Sequence, residues 1–191
     1  VATWSKINVS GTKPDARERH TSNFLDNSMI IFAGVDGSSY KQDIWKLSLI
    51  EYVWQELTVS STKPSGRYGH CSVVNNKKLY VFGGFDGNSR KNDLWSFNFT
   101  NNSWTLTTTP GMIPTGREGH VCSSTNNSIF LFAGNDGSAV GDIWVYSILS
   151  NTWDEITGLS VKPSARAYSS STLINYNMIV FGGNDDTNYL N

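Results

Sequence analysis

The chain repeats itself about every 50 residues, and a repeat of that length limits the possible folds more than any other feature. Trp4, Trp54, Trp104 and Trp153 stand 50, 50 and 49 residues apart. A Pro-x-x-Arg step follows each one: Pro14 and Arg17, Pro64 and Arg67, Pro114 and Arg117, Pro163 and Arg166. Three residues beyond each arginine come His20, His70 and His120, then Ser169 in the fourth copy. An apolar run then ends in Phe32-Ala33-Gly34, Phe82-Gly83-Gly84, Phe132-Ala133-Gly134 or Phe181-Gly182-Gly183. Asp36-Gly37, Asp86-Gly87 and Asp136-Gly137 come next, replaced by Asp185-Asp186 in the last copy. Asp43 with Trp45, Asp93 with Trp95 and Asp142 with Trp144 complete the pattern, the third copy being one residue shorter. All seven tryptophans therefore fall on two repeat positions.

Each unit reads as four short strands. The first starts at the histidine and includes Phe24-Leu25 or Val73-Val74. A tight turn follows at Asp26-Asn27, Asn76-Lys77, Asn126-Asn127 or Asn175-Tyr176, since Asn and Asp tolerate the left-handed conformation of hairpin turns. The second strand is a run such as Leu79-Tyr80-Val81-Phe82. It is expected to stop at the glycine pair, for example Gly83-Gly84, where the backbone turns or packs closely without a Cβ. The third strand carries the Asp-x-Trp, and the fourth begins at the next tryptophan, as in Trp54-Gln55-Glu56-Leu57. No helical period intervenes.

Four antiparallel strands in a period near 50 describe an all-β propeller blade, which must stack on neighbours to bury both faces. Trp45, Trp54, Trp95, Trp104, Trp144 and Trp153 are expected to supply apolar area between blades. A WD-type propeller has a shorter period, about 40–45 residues. Phe-Gly-Gly, Asp-Gly, Asp-x-Trp and the spaced Trp together resemble the kelch family. The Pro-x-x-Arg-x-x-His entry and Ile31-Phe32-Ala33-Gly34-Val35-Asp36-Gly37 are most similar to kelch repeats of leucine-zipper-like regulators and host-cell-factor-type proteins. The resemblance covers essentially the whole chain and departs from the pattern at Ser169 and Asp186. It implies a closed ring of about six blades. The chain is then a single propeller segment, with repeats at about 4–53, 54–103, 104–152 and an incomplete 153–191. Trp4 is expected to open the last strand of a blade, with three full blades after it and part of a further one. Closure with more chain, or with a second copy, remains open, and self-association through open blade edges is expected.

Composition narrows the function. The 191 residues are 38% hydrophobic and 16% charged, with a net charge of −1, which gives no bulk attraction to nucleic acid or anionic membrane. No apolar run approaches the roughly 20 residues of a membrane span. Cys71 directly follows its histidine and Cys122 lies two past its own. Side chains alternate along a strand, so the two cysteines are expected on opposite faces, as free thiols, in a reducing cytoplasm. Asn8, Asn98, Asn101 and Asn126 each head an Asn-x-Ser/Thr sequon, matches that an Asn- and Ser-rich chain also produces by chance.

No nucleophile with a base stands apart from the repeat, so neither an enzyme nor a cofactor is expected. His20, His70 and His120 have metal-ligand chemistry, but equivalent positions on successive blades rarely converge on one ion. They read as hydrogen-bonded structural histidines, and no metal is expected. Each repeat arginine reads first as a partner of an Asp in its own blade, such as Asp86 or Asp93, and second as part of a ligand ring.

The loops that differ between repeats carry the functional expectation. Two loop types emerge on one face: the fourth strand into the next blade, and the second strand into the third. Arg17, Tyr40, Lys41, Arg67, Phe85, Arg90 and Lys91 are the candidate partner-binding residues. Lys41, Arg90 and Lys91 favour an acidic or phosphorylated protein segment, with Tyr40 and Phe85 as apolar anchors; the competing reading is incidental charge on solvated loops. The expected function is a protein-binding scaffold or adaptor. Resemblance to kelch adaptors extends this to substrate capture for a ubiquitin ligase, with cytoskeletal assembly and regulation of an attached enzyme such as a phosphatase as alternatives.

Overall fold

A computed structural model describes residues 2–59 and 62–191. Their regular structure is all strand. The first blade orders β1 (Thr21–Leu25), β2 (Ser28–Val35), β3 (Tyr40–Ser48) and β4 (Trp54–Glu56) side by side. The second repeats this with β5 (Cys71–Asn75), β6 (Lys78–Phe82), β7 (Leu94–Asn98) and β8 (Ser103–Thr107). The third has β9 (Val121–Ser124), β10 (Ser128–Asn135), β11 (Ala139–Ser147) and β12 (Thr152–Glu155). A two-stranded hairpin, β13 (Ser170–Ile174) with β14 (Asn177–Phe181), begins a fourth blade. All neighbours within the sheets are antiparallel. Several four-stranded sheets of this kind in sequence make the molecule part of a β-propeller.

Turn chemistry sets most of the hairpins. Asp26 and Asn27 have φ of 45° and 55°, Asn76 and Lys77 47° and 57°, Asn175 and Tyr176 48° and 64°. These are the paired left-handed residues that match strand twist. The Asn126-Asn127 turn differs: neither residue has positive φ, and the Thr125 N–H closes it on the Ser128 carbonyl at 2.9 Å.

The expected stop at the Phe-Gly/Ala-Gly step holds for β6 and β14 but not for β2 and β10. Those strands continue to Val35 and Asn135 through a register shift between Phe32 and Gly34 and between Phe132 and Gly134. Ala33 and Ala133 take φ of 56° and 65° to make the bulge. The second glycine is required for a different reason. A Cβ on Gly84, whose φ is 94°, would lie 2.7 Å from the Tyr68 carbonyl oxygen and 2.9 Å from the His70 Cβ.

The core lies between blades because strand parity sends alternate residues to opposite neighbours. Ile30, Phe32 and Ile44 of the first blade pack on Leu79, Val81, Trp95, Phe97 and Trp104 of the second. Cys71, Tyr80, Phe82 and Leu94 on the other side of the second blade meet Ile129, Leu131, Trp144 and Trp153 of the third. The tryptophans are large apolar wedges here: Trp104 lies 4.9 Å from the Phe32 ring and Trp153 5.1 Å from Phe82. Trp45, Trp95 and Trp144 are buried as well, while Trp54 is half-buried. Trp4 departs from the expectation: it lies outside any strand and is fully exposed.

The cysteines require a correction. Cys71 and Cys122 form a disulfide, with Cα atoms 5.8 Å apart, within the usual span. The opposite-face expectation is sound, but the inference of free thiols drawn from it is not. Cys71 pairs in register with Phe82 and so faces the third blade, while Cys122 pairs with Leu131 and faces back to the second. Opposite faces of successive sheets are the ones that meet. With the thiols joined, the argument for a reducing compartment is withdrawn.

Candidate functional site

The repeated arginines are the joints between blades. Arg67 donates to both Asp93 carboxylate oxygens at 2.6 and 2.8 Å, to the Gly83 carbonyl at 2.8 Å and to the Ser65 carbonyl at 3.1 Å. Arg17 repeats this on Asp43 and Ala33, and Arg117 on Asp142 and Ala133. The same aspartates accept the indole N–H of Trp45, Trp95 and Trp144 at 2.6–2.7 Å. Burial pushes the Asp93 carboxyl up, but Arg67 and the Trp95 N–H outweigh it and hold it below the ordinary carboxylate value. The arginine backbone also bridges blades: the Arg67 N–H reaches the Lys41 carbonyl at 3.0 Å, and its carbonyl accepts from Gly34 at 2.9 Å. Arg17 and Arg67, candidates for partner contact, therefore have buried guanidiniums engaged within the fold, with side-chain exposures of 4% and 0%.

Backbone bridges hold the two same-face loop types together. The residue after each arginine pairs with the residue before each Asp turn: Glu18 with Val35, Tyr68 with Phe85, Glu118 with Asn135, Ala167 with Asn184. Asp36 and Asp86 then accept backbone N–H groups of their own turns, Ser38 and Ser39 in one, Asn88 and Ser89 in the other. The turns put a lysine within reach of each carboxylate. Lys41 lies 2.7 Å from Asp36 and 3.1 Å from Asp15, Lys91 2.6 Å from Asp86, and Arg90 3.3 Å from Glu118. The hydrogen bond from Lys41, then those from Ser38 and Ser39, hold Asp36 far below the ordinary value. Against burial, Lys91 and the turn amides lower Asp86 to about 2. The cations expected to attract an acidic partner thus already have carboxylates of this chain beside them.

Between these pairs lies an aromatic bank. Tyr40 stacks on Tyr68 with centroids 5.8 Å apart and planes 16° from parallel, and Phe85 lies 5.8 Å from Tyr68 and 6.3 Å from Tyr40. Tyr40 is exposed and rests against Gly87 of the next blade, where a Cβ would lie 2.8 Å from its ring. Tyr40 and Phe85 were expected here as anchors, and the fold brings them together.

The sequence places Arg19 and Glu18 among the charges of this loop face, but it does not single out the positions just beyond each repeat arginine as partner contacts. Arg19, Gly69, Gly119 and Tyr168 all have φ between 54° and 65°. Their backbones bond in series across blades, Gly69 to Arg19 at 3.3 Å, Gly119 to Gly69 at 2.7 Å and Tyr168 to Gly119 at 2.7 Å. The Arg19 guanidinium lies 4.9 Å from the Tyr68 centroid and 5.6 Å from that of Tyr168. Tyr168 donates to Glu118 at 2.8 Å, and burial followed by that bond raises its phenol pKa. The signal was present: these two positions change between copies while their neighbours repeat.

The histidines join blades. His70 Nε2 is 2.9 Å from Thr21 Oγ1, and His120 Nε2 is 3.1 Å from the Phe82 carbonyl oxygen. Burial, then nearby Arg67, holds His70 neutral far below its usual pKa; burial and Arg117 bring His120 to about 3. Among the described residues no group of three or more His, Cys, Asp or Glu has metal-site geometry, and no helix is long and apolar enough to cross a membrane.

The family model described as the KLHDC2/KLHL20/DRC7 Kelch-repeats domain matches residues 1–183. No curated protein matches the chain. Domains of this kind are in general protein-interaction domains, typically without catalytic activity. Buried Arg–Asp–Trp joints, glycine-pair strand ends and four-stranded blades agree with that match over nearly the whole length, and the chain belongs to the kelch-repeat family.

Proposed function

We propose that this chain holds a protein partner on its loop face, with the bank of Tyr40, Tyr68 and Phe85 as the anchor. The observation that carries this reading is the stacking of those rings between two blades, on a frame held by the buried arginine joints. Rigid aromatics give large contact area at low entropic cost, which is why they dominate interface energetics. Arg19, with a side chain 48% exposed and held mainly over tyrosine rings, offers the polar handle beside them.

The internal ion pairs bear on partner chemistry. An acidic or phosphorylated segment would compete with Asp36, Asp86 and Glu118 for Lys41, Lys91 and Arg90. Arg19 also has a carboxylate beside it, Glu18, but at 3.8 Å and with both side chains exposed, so it is the cation best placed to receive one. Substrate capture for a ubiquitin ligase and cytoskeletal assembly are uses of such a face in the reducing cytosol, and the Cys71–Cys122 bond speaks against them; a held protein partner is the use the face supports.

The test uses a partner captured by the complete protein and titrated with purified variants. Tyr40→Ala and Phe85→Ala should each weaken binding at least about tenfold, as loss of an interface anchor does. An Arg90→Glu, Lys91→Glu double variant should cost less, and affinity should depend weakly on salt. Binding unchanged by the aromatic variants, but lost on substitutions at the hairpin-turn end, would place the site elsewhere.

A further inference from the structure

The four sequons and the disulfide are features that partner binding does not use. We propose that the protein matures in an oxidising, glycosylating compartment and carries N-linked glycans on Asn101 and Asn126. Asn101-Asn102-Ser103 occupies the β7–β8 turn and Asn126-Asn127-Ser128 the β9–β10 turn. Both acceptor asparagines are exposed, and the Ser103 hydroxyl donates to Asn101 Oδ1 at 2.7 Å, so sequon and turn coincide. Asn98 is a poorer acceptor, because it ends β7 and is half-buried. Asn8 is exposed on the segment before the first blade.

Antiparallel topology places the β7–β8 and β9–β10 turns at the opposite end of the blades from the loops bearing Tyr40, Phe85 and Arg90. Bulky glycans at Asn101 and Asn126 therefore leave the loop face open.

Two observations beyond the sequence pattern support these sites. The first is the Cys71–Cys122 bond, which joins two blades, since such bonds form and persist mainly in oxidising compartments. The second is the surface around Asn126. It shares a shallow cleft of about 380 Å³ with Leu173, Asn175 and Tyr176, and Tyr176 is 88% exposed. A large aromatic ring left in solvent beside an acceptor asparagine offers the apolar face of the first N-acetylglucosamine a stacking surface.

The chemistry balances with co-reactants of those compartments. The asparagine Nδ2 forms a bond to the anomeric carbon of a lipid-linked oligosaccharide, the carbon–oxygen bond to the lipid diphosphate breaks, and the amide loses one proton. Cys71 and Cys122 lose two protons and two electrons to a disulfide of an oxidoreductase, which becomes a dithiol.

The native protein, isolated from its own cells with thiols blocked at lysis, is digested without reduction. It is then treated with peptide-N-glycosidase in 18O-water and mapped by mass spectrometry. Aspartate carrying 18O at 101 and 126, with the Cys71 and Cys122 peptides linked, is the expected result. Label at one position assigns that site and removes the other. Unmodified asparagine at both, or Cys71 and Cys122 recovered blocked and separate, overturns the proposal. As a control, Asn126→Gln expressed in the same cells should lose one glycan's mass while retaining the disulfide.

Discussion

The buried Arg67 guanidinium grips both oxygens of Asp93, 26 residues away, while its backbone carbonyl accepts from Gly34 of the preceding blade. One residue thus closes its own blade and fastens it to the previous one. Removing either partner leaves a buried charge without its counter-ion, which costs about 3–5 kcal/mol. Arg67→Ala and Asp93→Ala should each lower the unfolding free energy by that amount in urea titration, and the double variant by less than the sum. Arg67→Lys should also destabilise, because an ammonium cannot reproduce the two-pronged contact together with the Gly83 carbonyl bond. Losses below about 1 kcal/mol would show that the ion pair is not the joint.

The Cys71–Cys122 bond closes a loop with a sequence separation of 51 residues. Cross-links of such span stabilise by about 2–4 kcal/mol. Cys71→Ser with Cys122→Ser should lower the unfolding midpoint, and reductant should shift the parent toward the double variant while leaving the variant unmoved. Identical midpoints with and without reductant would show that the bond adds no stability.

Acid should act in two stages. Burial lowers the His70 and His120 pKa, the latter to about 3, whereas the unfolded chain has histidines near 6.5. Below pH 6.5 the unfolded state binds protons that the folded state refuses, so stability falls as pH drops through 6.5 toward 3. The slope approaches about 1.4 kcal/mol per pH unit for each histidine. Asp43, Asp93 and Asp142 have lowered values, so their contribution is present above 3.8 and is lost below it. His120→Gln should flatten the upper stage in unfolding titrations between pH 7 and 4 without changing the lower one. An unchanged upper slope would assign that stage to other groups.

The hairpin β13–β14 presents Ile174, Ile179 and Phe181 to solvent, with Phe181 at 67% exposure where its equivalents Phe32, Phe82 and Phe132 are buried. A chain of these 191 residues alone should therefore self-associate as its concentration rises. Ile179→Lys with Phe181→Lys should reduce association in analytical ultracentrifugation. A monodisperse monomer in the unsubstituted chain at high concentration would contradict this.

Much of the fold was legible because a repeat states the same local instructions several times. Trp95, Asp93 and Arg67 recur at fixed spacing, so their structural roles could be read without knowing the fold in detail. The Ala33 and Ala133 bulges were not legible, since a left-handed alanine is set by the strands on either side. The candidate site divides in the same way. Tyr40 and Phe85 stood out because their loops vary, whereas Arg19, Tyr68, Glu118 and Tyr168 sit next to the repeated arginines and histidines and are drawn together only by the radial packing of four blades.

By itself the sequence determined the four-strand repeat, the antiparallel order of strands within a blade and most of the hairpin turns, because these follow from periodicity and local backbone preference. Tertiary structure decided which charges have partners and which cysteines meet. Lys41 is neutralised by Asp36 and Asp15 because a turn folds them together. Cys71 reaches Cys122 because side chains on opposite faces of two sheets converge once those sheets stack. Parity along a strand is a local property, but what a face meets depends on the sheet packed against it.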